Sequence, residues 1–152
     1  DDAIALGFAL AAKALDIKLI TTVSGNVGIE NVTNNALKLL KFWNQYVPVA
    51  RGAAEPLLRK AMDASDVHAA SGMRGYEFDG IQLDCLLEET ALEAQRRVIM
   101  EGASAGEKTT LVTLGPLTNI ALLLKVYPQV KEHIDRIVCA LAANGFEINK
   151  IY

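Results

Sequence analysis

The chain has 152 residues, 51% of them hydrophobic, and its 15 basic and 18 acidic side chains leave a formal charge of −3. That is one domain's worth of sequence, long enough to bury a core. Without a basic run the charge balance speaks against a nucleic-acid partner, and no stretch approaches the ~18–20 uninterrupted apolar residues of a membrane span. Cys85 and Cys139 lie far apart in apolar surroundings, which reads as two core thiols in a reduced, cytoplasmic setting rather than a disulfide framework or zinc site.

Residues 1–15 are apolar all round, as in a buried helix, and open on the paired acids Asp1-Asp2. Such a pair complements a helix N-terminus, where backbone N–H groups lack partners, and it is equally suited to a cation or to polar hydroxyls. A β-type run follows over residues 17–23 and ends in the polar turn Ser24-Gly25-Asn26. Residues 30–46 place Val32, Ala36, Leu37, Leu39, Leu40 and Trp43 at helical spacing, and residues 47–50 read as a short strand. Residues 51–82 carry Gly52, Pro56, Gly72, Gly75 and Gly80 and read as a long loop, with one helical turn expected over residues 55–62. A loop of this length in a compact domain is usually functional or mobile. A long helix is predicted over residues 83–105, where Arg96-Arg97 form a solvated face. A strand over 109–114, a helix over 116–127 with Pro116 in its first turn, a helical turn from Pro128 and a last strand over 135–141 complete the chain.

Helices alternating with short apolar strands, without repeats, specify a three-layer, Rossmann-like α/β domain with a mainly parallel sheet. Ligands of such folds lie beyond the carboxyl ends of the strands. There the first strand delivers Ser24-Gly25-Asn26, the third delivers Thr113-Leu114-Gly115-Pro116, and Asp1-Asp2 open a helix that should follow a strand lying before residue 1. Carboxylates, an amide and a strand-end carbonyl form an oxygen-rich set suited to Ca²⁺ or Mg²⁺ rather than to zinc.

Asp1-Asp2-Ala3, Thr21-Thr22-Val23-Ser24-Gly25-Asn26-Val27, Val67-His68 with Ser71-Gly72-Met73, and the run Leu111-Val112-Thr113-Leu114-Gly115-Pro116-Leu117-Thr118-Asn119-Ile120-Ala121 appear in that order. In order and spacing they resemble the inosine-uridine preferring nucleoside hydrolases, up to about Val138. Asn35-Ala36-Leu37, Phe42-Trp43-Asn44, Pro48 and Gly52-Ala53-Ala54 look most like the branch accepting purine and pyrimidine ribonucleosides.

The resemblance implies hydrolysis of the N-glycosidic bond of inosine, uridine and similar ribonucleosides, with Ca²⁺ as cofactor. Of the family's opening Asp-x-Asp-Pro-Gly-x-Asp-Asp motif only the last two acids are present. Asp2 matches the acid that chelates calcium, and Asp1 the one that accepts a hydrogen bond from a ribose hydroxyl. Asn26 matches an amide on the ribose, and Thr113 a residue whose backbone carbonyl joins the metal shell. His68 matches a position at the nucleobase end, and Glu147-Ile148-Asn149 has the spacing of a Glu-x-Asn pair that holds the sugar, Glu147 and Asn149 being its two members. The resemblance also implies a homodimer or homotetramer. It puts the water-activating Asp upstream of Asp1 and the leaving-group His downstream of Tyr152, so residues 1–152 read as a single nucleoside hydrolase-like domain lacking its first strand and C-terminal part. The family's Met-Gly-Gly turn after the last strand is replaced by residues 138–145.

These residue types suit the reaction. Loss of the base builds positive charge on the ribose, which calls for carboxylates, a gripped sugar and an activated water. A bound cation orients hydroxyls and lowers the pKa of its water. The rival readings are an inactive interaction remnant of such a hydrolase, with exposed strand edges favouring association, and an unrelated domain binding phosphate at residues 25–30. The acids at Asp1-Asp2 would repel an anion, and no Gly-rich fingerprint is present.

Overall fold

The computed structural model describes residues 2–58, 72–73 and 76–139. In chain order they form α1 (Asp2–Ala11), β1 (Ile20–Thr22), α2 (Ile29–Phe42), β2 (Val49–Arg51), α3 (Ala91–Ser104), β3 (Thr109–Thr113), α4 (Thr118–Val126) and β4 (Ile134–Cys139), with 3-10 turns at Leu83–Cys85 and Pro128–His133.

Neighbouring side chains of a strand point to opposite faces, and β1 uses both. Thr22 bonds to Thr33 of α2 at 2.9 Å, whereas Thr21 accepts from Gln95 of α3 at 3.1 Å. Helices therefore cover this sheet on either side, as the three-layer reading requires. β1 pairs in parallel with β2, and β3 in parallel with β4. Among the described residues these are two separate pairs rather than one continuous sheet.

The core follows the helical stripes. On α2, Thr33, Leu37 and Leu40 recur at four- and three-residue intervals and are fully buried. Leu37 and Leu40 pack with Val47, Val49 and Cys85, with Leu10, Ile17 and Ile20 against them. The first turn of α3 packs Ala91 and Ala94 on Ala50 of β2, while its later turn packs Ile99 on Leu123 and Val130. One helix thus serves both strand pairs.

Several elements end where local hydrogen bonding dictates. α2 stops at Phe42 rather than near residue 46 because Asn44 takes a left-handed φ of 52°. Gln45 N–H then reaches back to Leu40 O at 2.8 Å and Asn44 N–H to Lys41 O at 3.1 Å, the Schellman closure. The expected helix over 83–105 is broken. Leu86 bridges Val49 in parallel and Leu87 N–H donates to Val49 O at 2.8 Å, so this segment runs beside β2 as a strand would. The helix restarts through a capping box in which the Thr90 hydroxyl and backbone N–H pair with Glu93. α4 begins at Thr118, two residues after Pro116, and of the turn expected over 55–62, residues 55–58 are not helical and 59–62 lie outside the described residues.

Two burial expectations are corrected. α1 has no buried residue: Ile4 is 65% and Phe8 75% exposed, and its described packing includes Gly7 against the Trp43 ring. Cys85 is buried, but Cys139 is exposed, because β4 meets solvent along nearly its whole length. No described helix is long and apolar enough to cross a membrane.

Candidate active site

The exits of β1 and β3 meet. A Cβ on Gly25 would lie 3.3 Å from Pro116 Cδ, and one on Gly115 would lie 3.3 Å from Val23 Cγ1. Glycine at both positions lets the two turns close on each other. Asn26 and Thr113 therefore belong to one edge of the fold, the carboxyl edge, which joins two of the three segments expected there.

The β1 exit is a tight turn with a buried foot. Ser24 Oγ and Gly25 N–H both donate to Val27 O at 3.3 Å, and Val27 is buried beneath, which leaves Asn26 at the exposed tip. Ser24 N–H donates to Ala53 O at 2.9 Å, tying this turn to the one after β2. At the other exit Thr113 is half-buried, and its hydroxyl points to Val138 O at 3.5 Å on β4. That leaves its side chain engaged with the neighbouring strand.

Asn119, which the sequence sets only within the run 111–121 and the helix expected over 116–127, completes the edge. Its Nδ2 donates to Thr22 O and its Oδ1 accepts from Ala53 N–H, both at 2.9 Å. Gly52 is obligatory beneath it: a Cβ there would lie 2.3 Å from Asn119 Nδ2, Asn119 Oδ1 and Thr22 O. Partners 97 and 66 residues away leave no mark in the local pattern.

Asp2 occupies the first turn of α1 and is exposed. Asp1, His68, Glu147 and Asn149 lie outside the described residues. Among the described residues no group of three or more His, Cys, Asp or Glu side chains could hold a metal. Asp2 and the Thr113 carbonyl are hard oxygen donors, right in kind for Ca²⁺ but too few by themselves for its usual six to eight ligands. Two surface hollows, one lined by Glu89 and α3 residues including Arg97 and one by Lys38, Phe42, Tyr76 and Phe78, include none of Asp2, Asn26 or Thr113. The assignment rests on strand-end convergence.

Parallel strands, helices on both faces and paired loops at the carboxyl edge define an α/β domain of the ligand-binding kind. Residues 1–144 match the family described as inosine-uridine preferring nucleoside hydrolase, and the chain belongs to it. It is 53% identical over 138 residues to the non-specific ribonucleoside hydrolase RihC of Salmonella paratyphi B, covering 91% of this chain and 44% of that protein. RihC of Salmonella typhi matches equally. The chain spans about half the length of the curated relatives it matches. Its fold is similar to an inosine-guanosine nucleoside hydrolase, with a TM-score of 0.82 and 26% identity over 94% of this chain and 45% of that one. A purine-preferring ribonucleoside hydrolase from Gardnerella vaginalis gives a TM-score of 0.78 and 26% identity over 91% of this chain and 44% of that one.

Proposed function

We propose that this chain carries the sugar-binding edge of a hydrolase that cleaves ribonucleosides such as inosine and uridine to ribose and free base. The observation that supports it is the joining of the β1 and β3 exits, bearing Asn26 and Thr113, in a chain 53% identical to a non-specific ribonucleoside hydrolase. The Asn26 amide, at the tip of a turn closed on itself, would hold a ribose hydroxyl without first having to be ordered. Fixing a hydroxyl in this way contributes orientation, a large share of rate enhancement in such reactions. Asp1 would accept from a second hydroxyl, Glu147 and Asn149 would hold the sugar's far side, and His68 would line the nucleobase end.

Asp2 and the Thr113 carbonyl would supply two of the oxygen ligands for Ca²⁺. When bound, that ion orients ribose hydroxyls and acidifies a water. A domain formed by residues 1–152 as one unit, and a homodimer or homotetramer, complete the proposal.

A second reading, binding or association without turnover, is favoured by exposed Ile4 and Phe8 on α1 and Val112, Ile137 and Val138 on the sheet. Ribose release from inosine and uridine, assayed with Ca²⁺ and with EDTA, separates the two. Turnover that is lost in EDTA and in Asp2→Ala supports the hydrolase with its metal. Full activity in EDTA removes the metal, and self-association without turnover supports the second reading.

A further inference from the structure

Asn119 is 7% exposed, and its amide ties its own helix to two segments that the chain places far from it. By donating to Thr22 O it holds the last residue of β1, and by accepting from Ala53 N–H it holds the turn after β2. Being the second residue of α4, it ties both to the helix entered through Gly115 and Pro116. The line continues outward, because Ala53 O in turn accepts from Ser24 N–H at 2.9 Å, two residues short of Asn26. Pro116, at the mouth of the same helix, abuts Gly25.

The arrangement demands a donor and an acceptor at one position, each with a backbone partner. An aspartate would keep the bond from Ala53 and set a carboxylate oxygen against the Thr22 carbonyl. An alanine would lose both bonds and take these partners from the buried Thr22 carbonyl and the half-buried Ala53 N–H, the situation native structures avoid. Gly52, by having no side chain, keeps the space the amide fills.

We infer that Asn119 is a positioning residue of the sugar-binding edge, fixing the Asn26 turn relative to the Thr113 exit; the inference rests on the reading proposed above. Asn119 does not touch substrate. It acts through Ala53 and Ser24 on one side and through the mouth of α4 on the other. A displacement of about 1 Å at such an edge is enough to lower a rate a hundredfold.

The test compares the unsubstituted full chain with Asn119→Ala and Asn119→Asp by ribose release and by amide hydrogen exchange. A brace of this kind predicts kcat/KM reduced tenfold or more in both variants. It also predicts exchange faster by tenfold or more at Ser24, Gly25 and Ala53, with Leu37 and Leu40 of α2 unchanged. A lowered Tm with kcat, KM and local exchange unaltered would overturn it, as would exchange rising equally throughout. If the unsubstituted chain releases no ribose while the exchange pattern is local, the hydrolase reading falls and the brace stands. Unchanged kinetics in an active chain removes the brace alone.

Discussion

Thr22 and Thr33 share a buried hydroxyl–hydroxyl hydrogen bond of 2.9 Å between β1 and α2. The Thr33 hydroxyl also donates to Ile29 O at 2.8 Å, and having one proton it must accept from Thr22. The pair is therefore asymmetric. Thr33→Val orphans the Thr22 donor and should cost about 1–3 kcal/mol, whereas Thr22→Val leaves only an unfilled lone pair and should cost about 0.5–1.5 kcal/mol. Urea midpoints with unchanged slopes measure both, and equal losses would contradict the donor assignment.

Gly52→Ala should be among the most damaging single-atom additions in the chain. Its methyl would meet Asn119 and the Thr22 carbonyl at 2.3 Å, and backbone on one side leaves little room to yield. A loss of at least about 2 kcal/mol is expected, in the range of overpacked cores. The same change at Gly28, where a Cβ meets nothing within 4 Å, serves as the control.

Acid should weaken the start of α3. The Glu93 carboxyl is held below its ordinary value of 4.5, first by the Thr90 backbone N–H and then by the Thr90 hydroxyl. A folded-state pKa below the unfolded one contributes stability above the unfolded value and loses it as pH falls through the folded value. Melting temperatures of the natural chain and Glu93→Gln should thus differ at neutral pH and converge as the pH drops below 4.5. A constant gap across that range would contradict the capping bond.

The two thiols should separate cleanly in a thiol-labelling time course. Burial raises the Cys85 pKa, with Asp84 adding to the effect, while Cys139 is exposed on β4. Since the thiolate is the reactive form, Cys139 should react at once and Cys85 only as the chain opens. Simultaneous labelling would mean that the α2–β2 core does not exclude solvent.

Much of this was legible in the sequence because it is periodic. Leu37 and Leu40 mark the α2 stripe, and the runs ending at Asn26 and Thr113 mark strand ends that the topology must bring to one edge. Cooperation between distant segments was not legible. Nothing near Leu86 indicates that this segment pairs with Val49, through the Leu87 N–H, and interrupts a helix, although Thr90 with Glu93 is a readable restart. Asn119 carries no local sign of its role because its partners, Thr22 and Ala53, are remote in the chain. Cys139 looked internal from its apolar neighbours, and only the arrangement of β4 shows otherwise. Of the proposed ligands, Asn26 and Thr113 stand on strand exits that meet, Asp2 lies exposed in the first turn of α1, and Asp1, His68, Glu147 and Asn149 fall outside the described residues.

The division of labour along α3 bears on how the molecule comes apart. β1–β2 and β3–β4 share no backbone ladder among the described residues, and α3 lays Ala91 and Ala94 on one pair and Ile99 against the helices of the other. All-or-none unfolding then depends on α3 remaining a single rod from Thr90 onward as well as on the strand-exit contacts of Asn119, Gly25 and Gly115. Fraying at the capped end of α3 would leave those exit contacts to carry the coupling, and the two halves would begin to unfold out of step before either lost its own strands.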